Sequence, residues 1–219
     1  MRILEFLVKS PHANPSKDEL EAAVAGLAKV TSFNSQDGQI VLETSEPIGD
    51  IQDRLLSNFS NVKLIGQSSR GLVQASAVAI VGGQARGIVR LMEDESTFYA
   101  EGTISGLARG VYDVSINEYG DISNACLSTG SPVCGGSLGR VVNDGSSETK
   151  FVLKSDKLSI SACIGRSLVV QNEKVKVACG IVGRSSGVSE NVKKICACDG
   201  KVIWEEQVFG AYAVAPPNE

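Results

Sequence analysis

The chain has 219 residues with 42% hydrophobic and 21% charged residues, which is typical of a globular protein with room for one large or two modest domains. Its net charge of −4 argues against nucleic acid or an anionic membrane as a main partner. Twenty-three glycines and 5% aromatic residues favour β architecture. The single histidine, His12, excludes a centre built on several histidines and makes a histidine-based catalytic triad untenable.

The sequence shows no recognisable targeting signal, which predicts a cytoplasmic protein. The first nine residues are too short and too interrupted by charge to form the apolar core of a signal peptide, and no apolar stretch is long enough to span a membrane. In a cytoplasmic protein, the six cysteines are more often reactive, metal-binding or buried than paired as disulfides.

Residues 1–68 show the pattern of a small α/β unit. Ser16 is a natural N-cap, and Asp37-Gly38 is a strong hairpin signal. Leu55 and Leu56 are expected to point inward. The predicted elements are, in order, strand Arg2–Val8, helix Lys17–Leu27, strands Val30–Asn34 and Gln39–Thr44, helix Ile48–Ser57 and strand Val62–Ile65. This βαββαβ order is the ferredoxin-like arrangement, and Gln67–Gly71 is predicted to be a linker after it.

Residues 74–184 show short strand patterns with glycine-containing turns and no helical period, which predicts an all-β sandwich or barrel. Asn143-Asp144-Gly145 is predicted to be a hairpin turn. The strands are predicted at Ala75–Val81, Arg86–Met92, Thr97–Ile104, Val111–Asn117, Gly139–Asn143, Lys150–Leu153, Ser167–Gln171 and Ala178–Val182.

Residues 185–219 form a tail that we expect to be flexible, and it contains Cys196-Ala197-Cys198. Two thiolates at this spacing can hold a soft, low-coordinate cation such as Cu(I). They can also exchange thiol for disulfide with a partner. Two unrelated exposed cysteines would give the same pattern, and the spacing alone leaves these three interpretations open.

The segment Gly106–Asp121 resembles the copper/zinc superoxide dismutases, as do Ile164–Gln171 and Ala178–Gly183. The resemblance implies a Greek-key β-barrel over residues 74–184. It also implies that the catalytic metal site has been lost, so we expect neither zinc binding nor dismutase activity. Histidine positions of the family are occupied here by Tyr112, Ser115, Asn117 and Gln171, Ser137 replaces its aspartate, and Lys176 stands at the position of its guiding arginine.

The same resemblance implies a disulfide between Cys126 and Cys179, whereas Cys163 is expected to be a buried apolar residue and Cys134 has no assigned counterpart. It further implies a self-association face that survives the loss of the metal site. Strand packing and turn requirements alone would also preserve such residues. The face is expected to include Tyr119, Gly120, Asp121, Ile164, Gly165, Gly180, Gly183, Arg184 and Trp204.

The segment Gly183–Glu206 resembles the C-terminal segment of the copper chaperones for superoxide dismutase. The resemblance implies a chaperone that pairs with immature dismutase as a heterodimer. Cys196 and Cys198 would deliver transiently bound Cu(I), form the client's disulfide, or both. The Met-x-Cys-x-x-Cys motif of the N-terminal domain is absent, because no cysteine precedes Cys126. Two alternatives remain open, a copper-independent disulfide-transfer factor and a pseudoenzyme partner of dismutase, and the free protein is expected to be either a monomer or a homodimer.

Overall fold

The computed structural model describes residues 1–10, 14–69, 75–82, 85–94, 97–185, 187 and 188. These residues are mostly β-sheet with few helices, in agreement with the β-rich class that the sequence predicted. They form a four-stranded sheet in the N-terminal unit (residues 1–69) and a nine-stranded sheet in the larger unit (residues 75–185). Within these ranges, no helix is both long enough and apolar enough to cross a membrane.

The N-terminal unit is an antiparallel sheet with two helices on one face. Its elements are β1 (Arg2–Lys9), α1 (Lys17–Ala23), β2 (Ala28–Asn34), β3 (Gln39–Thr44), α2 (Ile48–Leu56) and β4 (Asn61–Ser69). The strand order is β2-β3-β1-β4. Ser16 caps α1 in a capping box with Glu19, as its position in the sequence predicted. Alternate residues of β1, namely Leu4, Phe6 and Val8, pack against the helices in one apolar core.

Three local predictions in this unit are wrong. Helix α1 ends at Ala23 rather than Leu27, and the turn that follows contains Gly26 at a left-handed φ of +79°. Leu56 is exposed, because Ile48, Ile51 and Leu55 already occupy the inward face of α2. The predicted linker begins too early, since residues 67–69 continue β4 and pair with the first residues of β1.

The larger unit contains every predicted strand, most of them longer than expected. Its strands are β5 (Ala75–Gly82), β6 (Ala85–Asp94), β7 (Thr97–Ser105), β8 (Gly110–Asn117), β9 (Ser123–Cys126), β10 (Pro132–Asn143), β11 (Glu148–Ser155), β12 (Ser167–Asn172), β13 (Val175–Ile181) and β14 (Gly183–Ser185). The sheet order is β10-β8-β12-β13-β5-β6-β7-β11, with β14 also paired to β5. The one-turn helix α3 (Ile160–Cys163) was not predicted, and neither were β9 and β14.

The turn at Asn143-Asp144-Gly145 does not make the predicted hairpin. Gly145 adopts a φ of +104°, and its amide donates to the Asn143 side chain at 2.6 Å, so the turn itself forms. The two strands it joins then separate, because β10 pairs with β8 while β11 pairs with β7. The Asn143 side chain also donates to the carbonyl of Leu107, which ties this connection to the turn before β8. The turn therefore joins β10 and β11, which stand at opposite ends of the strand order.

A buried carboxylate joins the two units. Oε2 of Glu101, on β7, accepts a hydrogen bond from the guanidinium of Arg2 at 3.0 Å, and Oε1 accepts one from the Gly49 amide at 2.9 Å. Pro47 stands at the N-cap of α2 and makes no side-chain capping bond. Glu101 thus caps a helix of the N-terminal unit from the larger unit, at the end of the helix where negative charge is favoured. Met92 of β6 extends the same contact by packing in the N-terminal core.

Burial raises the pKa of Glu101 above its ordinary value of 4.5, while the Gly49 amide and Arg2 oppose that rise. Its strand neighbour across the β6–β7 ladder, Arg90, is buried as well, and desolvation lowers the Arg90 pKa. Since the folded protein holds the Glu101 proton more tightly than the unfolded chain does, the contribution of this group to stability falls as pH rises through its folded pKa.

We expect Glu101→Gln to lower the free energy of unfolding by about 1–3 kcal/mol at neutral pH, because the amide has one acceptor oxygen for two donors and its NH2 group leaves the second donor unpaired. The difference between wild type and variant is expected to grow as pH falls from neutral towards 4.5, since only the wild type gains a proton there. Urea unfolding at several pH values measures both effects. Glu21→Gln, which breaks an exposed i,i+4 pair with Lys17, is the control and should change stability by less than about 0.5 kcal/mol. Equal losses in the two variants would contradict the interdomain cap.

Candidate functional site

The residues at the dismutase histidine positions make hydrogen bonds of their own. Ser115 and Asn117 lie on β8, and the Ser115 hydroxyl donates to the Asn117 side-chain oxygen at 2.8 Å. The Asn117 amide is buried and donates to the carbonyl of Gly130 at 2.9 Å. The Gln171 amide instead donates to the carbonyl of Glu173. Of these three side chains, only Ser115 and Asn117 bind each other.

Tyr112 and Ser137 are the remaining residues that the resemblance aligns with metal-site residues of the dismutases. The Tyr112 ring is buried in the core of the larger unit, and its hydroxyl donates to the carbonyl of Ala108 at 2.7 Å. Ser137 lies opposite Ser115 in the ladder between β10 and β8. Neither side chain is a strong metal ligand, and the part of the chain that the structure describes contains no group of three or more His, Cys, Asp or Glu residues that could hold a metal ion.

A lysine ammonium lies beside Asn117. Nζ of Lys176, on β13, donates to the Thr129 hydroxyl at 2.9 Å and to the Gly130 carbonyl at 2.6 Å. The same carbonyl accepts from Asn117, and the Thr129 hydroxyl donates to the carbonyl of Cys126. Lys176 thus stabilises the loop after β9 with its own positive charge. The resemblance gave Lys176 the position of a guiding arginine, and the structure adds this loop contact.

A disulfide joins Cys126 and Cys179, the pair implied by the dismutase resemblance. Both residues are buried and share a small core with Val169. The bond ties β9 to β13 across a sequence separation of 53 residues. In the chain-entropy model, a loop of that length stabilises the fold by about 4 kcal/mol.

The two other described cysteines are free thiols in different environments. Cys163 is buried, as expected, and burial raises the pKa of its thiol to about 11. Cys134 is exposed, and it is the one exposed free thiol among the described residues. The predicted sites at Cys196, Cys198 and Trp204 lie outside the described residues, as does His12.

Part of the predicted association face comes together on the surface, and we refer to Tyr119, Gly120, Asp121, Ile164, Gly165 and Ile181 as the docking face. A Cβ at Gly120 would collide with the carbonyl of Gly165 and lie 3.4 Å from the Ile181 side chain. Tyr119 and Ile181 are 58% and 43% exposed, respectively, although both are large and apolar. Ile181 directly follows Gly180, and the resemblance places the residues after that glycine on the association face.

The other described residues of the predicted face lie on β13 and β14. Gly180 is buried within β13, so its backbone serves strand packing. Gly183 and Arg184 are exposed on β14 beside β5. A hydrogen bond from the Gly165 amide to the Val182 carbonyl connects the docking face to the start of that strand.

The loop that Lys176 binds also supports the docking face. Gly130 has a φ of +73°, and a Cβ there would lie 2.7 Å from the ring of Tyr119, so only glycine fits against that ring. The Tyr119 amide also donates to the Thr129 carbonyl at 3.1 Å. Because Lys176 binds both Thr129 and Gly130, its ammonium fixes the surface on which Tyr119 rests.

We expect Lys176→Met to lower the free energy of unfolding by about 1–2 kcal/mol, because the loop loses two charge-assisted bonds while the aliphatic stem is kept. Amide exchange at residues 127–131 and at Tyr119 should become faster. Urea unfolding and hydrogen exchange measured by mass spectrometry report the two effects. Lys174→Met removes an exposed lysine from the adjacent turn and is the control. Unchanged exchange at residues 127–131 in Lys176→Met would contradict the role given to the ammonium.

Comparison with known proteins identifies the family. No protein-family model matches the chain. It is 30% identical to the copper chaperone for superoxide dismutase of Homo sapiens over 93% of this chain and 88% of that protein. The Rattus norvegicus protein of the same name is 31% identical over 94% of this chain and 89% of its own length. The chloroplastic/cytosolic copper chaperone for superoxide dismutase of Arabidopsis thaliana is 32% identical over 88% of this chain and 65% of its own length. At this identity over nearly the whole chain, the protein belongs to the family of copper chaperones for superoxide dismutase.

Proposed function

We propose that this protein is a cytoplasmic chaperone that docks on immature copper/zinc superoxide dismutase and activates it through Cys196 and Cys198. The observation that carries the proposal is the allocation of the other cysteines. Cys126 and Cys179 are joined in a disulfide, and the thiol of Cys163 is buried with a raised pKa. Cys134 alone cannot supply two thiolates, so Cys196 and Cys198 are the adjacent pair left to carry Cu(I).

The domain assignment in this proposal follows the family. Residues 1–68 form a ferredoxin-like domain without its metal motif, an assignment supported by the β2-β3-β1-β4 order of the small sheet. Residues 74–184 form a dismutase-like Greek-key barrel. The strand order supports this assignment, since β13 pairs with β5 although they are far apart in sequence, and β10 and β11 stand at its two ends. Residues 185–219 form the tail that reaches the client.

Copper is the cargo, and it enters this chain by an unusual route. Because no cysteine precedes Cys126, the N-terminal domain cannot capture Cu(I) with thiolates. The tail thiols then both acquire the ion and transfer it to the histidine ligands of the client. Each thiolate is a soft donor, and two of them suit the low coordination number of Cu(I).

Disulfide transfer is the second candidate function, and the missing N-terminal thiolates favour it. A disulfide between Cys196 and Cys198 would be attacked by a client thiolate to give a mixed disulfide. A second client thiolate then displaces the tail sulfur, which leaves the client oxidised by two electrons and the tail as a dithiol. This reaction needs no copper. A pseudoenzyme that only caps dismutase is the third possibility, and the Cys-x-Cys tail argues against it.

Replacement of both tail thiols, Cys196→Ser with Cys198→Ser, is expected to abolish activation of the client. The measurement mixes each protein with copper-free, disulfide-reduced dismutase, with and without limiting Cu(I), and follows dismutase activity and the client disulfide. Copper delivery predicts activation only when Cu(I) is present, whereas disulfide transfer predicts client oxidation without it. Cys134→Ser is the matched control and should activate normally. Full activation by the double variant would contradict both thiol mechanisms.

The docking face is proposed to bind the client, and Ile181→Asp tests it. Burial of a new carboxylate in an apolar contact is expected to weaken the heterodimer at least about tenfold. Val175→Asp places the same charge on another exposed residue of β13, outside the docking face, and is the control. Analytical ultracentrifugation measures the heterodimer, and also any homodimer formed through the same face. Equal affinity for both variants would place the interface elsewhere.

A further inference from the structure

The docking face is built from three separate parts of the chain. Residues 119–121 follow β8, residues 164 and 165 lie between α3 and β12, and Ile181 ends β13. The first two parts touch through their backbones, because a Cβ at Gly120 would collide with the carbonyl oxygen of Gly165. The shape of the face therefore depends on how these parts are held relative to one another.

One side chain binds beside two of these parts. Arg166, the residue before β12, is half-buried. Its Nε donates to the carbonyl of Ala162 in α3 at 2.8 Å, and a terminal nitrogen donates to the carbonyl of Glu118 at 3.0 Å. Glu118 directly precedes Tyr119 and lies 48 residues before the arginine. A guanidinium is a flat fork with five N–H donors, so it can bind two carbonyls that are held by different elements.

The backbone of Arg166 reaches the third part. Its carbonyl accepts a hydrogen bond from the amide of Val182 at 2.8 Å, and Val182 directly follows Ile181. The carbonyl of Val182 accepts in turn from the Gly165 amide at 2.9 Å. Arg166 therefore makes hydrogen bonds next to each of the three parts of the docking face.

We propose that Arg166 is a positioning residue of the docking face, an inference that rests on the proposed function. Its guanidinium holds residues 118–121 against residues 164 and 165, which gives the face the shape that the client binds. Other bonds tie Glu118 to the loop after β9, since its amide donates to the Ser131 carbonyl at 3.0 Å and its carboxylate accepts from the Ser131 amide at 3.2 Å. Without the guanidinium, residues 118–121 would follow that loop, and binding would have to order the two parts of the face at a cost in affinity.

Arg166→Met tests the proposal, because the variant keeps an apolar stem and loses every donor. We expect its heterodimer with copper-free, disulfide-reduced dismutase to be about tenfold weaker by analytical ultracentrifugation, since one charge-assisted bond is worth roughly that factor. Amide exchange at residues 118–121 should become faster. Arg140→Met is the matched control, because it removes an exposed guanidinium that pairs with Asp113, and it should change neither quantity.

Arg166→Lys separates positioning from charge. It keeps the positive charge but replaces the planar fork with a single ammonium, so it should recover only part of the affinity lost in Arg166→Met. Wild-type affinity in the lysine variant would show that the charge alone matters, and it would overturn the proposal. Urea unfolding shows whether each variant is folded, and Arg166→Lys decides the question if Arg166→Met does not fold.

Ile181→Asp is the reference that separates this inference from the proposed function. If Ile181→Asp weakens the heterodimer while Arg166→Met keeps wild-type affinity, the client uses the docking face and the positioning role is wrong. If neither variant changes the affinity, the client binds elsewhere, and both the proposed interface and this inference are overturned. If both variants weaken the heterodimer and Arg140→Met does not, Arg166 positions the face.

Discussion

The arrangement of the two units depends on the buried carboxylate of Glu101. A carboxylate is costly to remove from water unless charged or polar donors satisfy it, and here the donors come from the other unit. Arg2 at the start of β1 and the Gly49 amide at the start of α2 both bind it, so the N-terminal unit is fixed at two points to β7. Pro47 offers α2 no cap of its own, which makes this helix dependent on the larger unit. The units are joined by this shared polar contact and by Met92 of β6, which packs in the N-terminal core.

The same requirement, that buried polar groups find partners, explains how the larger unit keeps its loop without metal ligands. Asn117 is buried at a histidine position, and its amide and the Lys176 ammonium both donate to the Gly130 carbonyl. A covalent bond and a cation then act on the same segment, since the disulfide at Cys126 precedes the loop that Lys176 binds. Tyr119 rests on Gly130, so the loop held by these bonds also supports the surface that contains Tyr119.

The helix cap at Ser16 and the turn at Asp37-Gly38 were predicted well, whereas element ends and most long-range contacts were not. The N-cap at Ser16 and the turn at Asp37-Gly38 depend on neighbouring residues, and both are present. The hairpin at Asn143-Asp144-Gly145 failed because partner strands, not the turn, decide where β10 and β11 pair. No pattern links Glu101 to Arg2, which lies 99 residues away. The Cys126–Cys179 pairing followed from family resemblance, since spacing alone cannot select partners. The roles of Cys196 and Cys198 remain predictions.

The N-terminal unit contains no cysteine, and its contacts with the rest of the chain give it a structural role. On one side, α2 and β1 bind Glu101 and so hold the N-terminal unit against the sheet that bears the docking face. On its helix-free face, Gly66 contacts the chain that leads to the tail. The N-terminal unit thus contacts both the sheet that bears the docking face and the described residues that follow β14. Through these two contacts, this unit determines where the chain after β14 begins relative to the larger sheet.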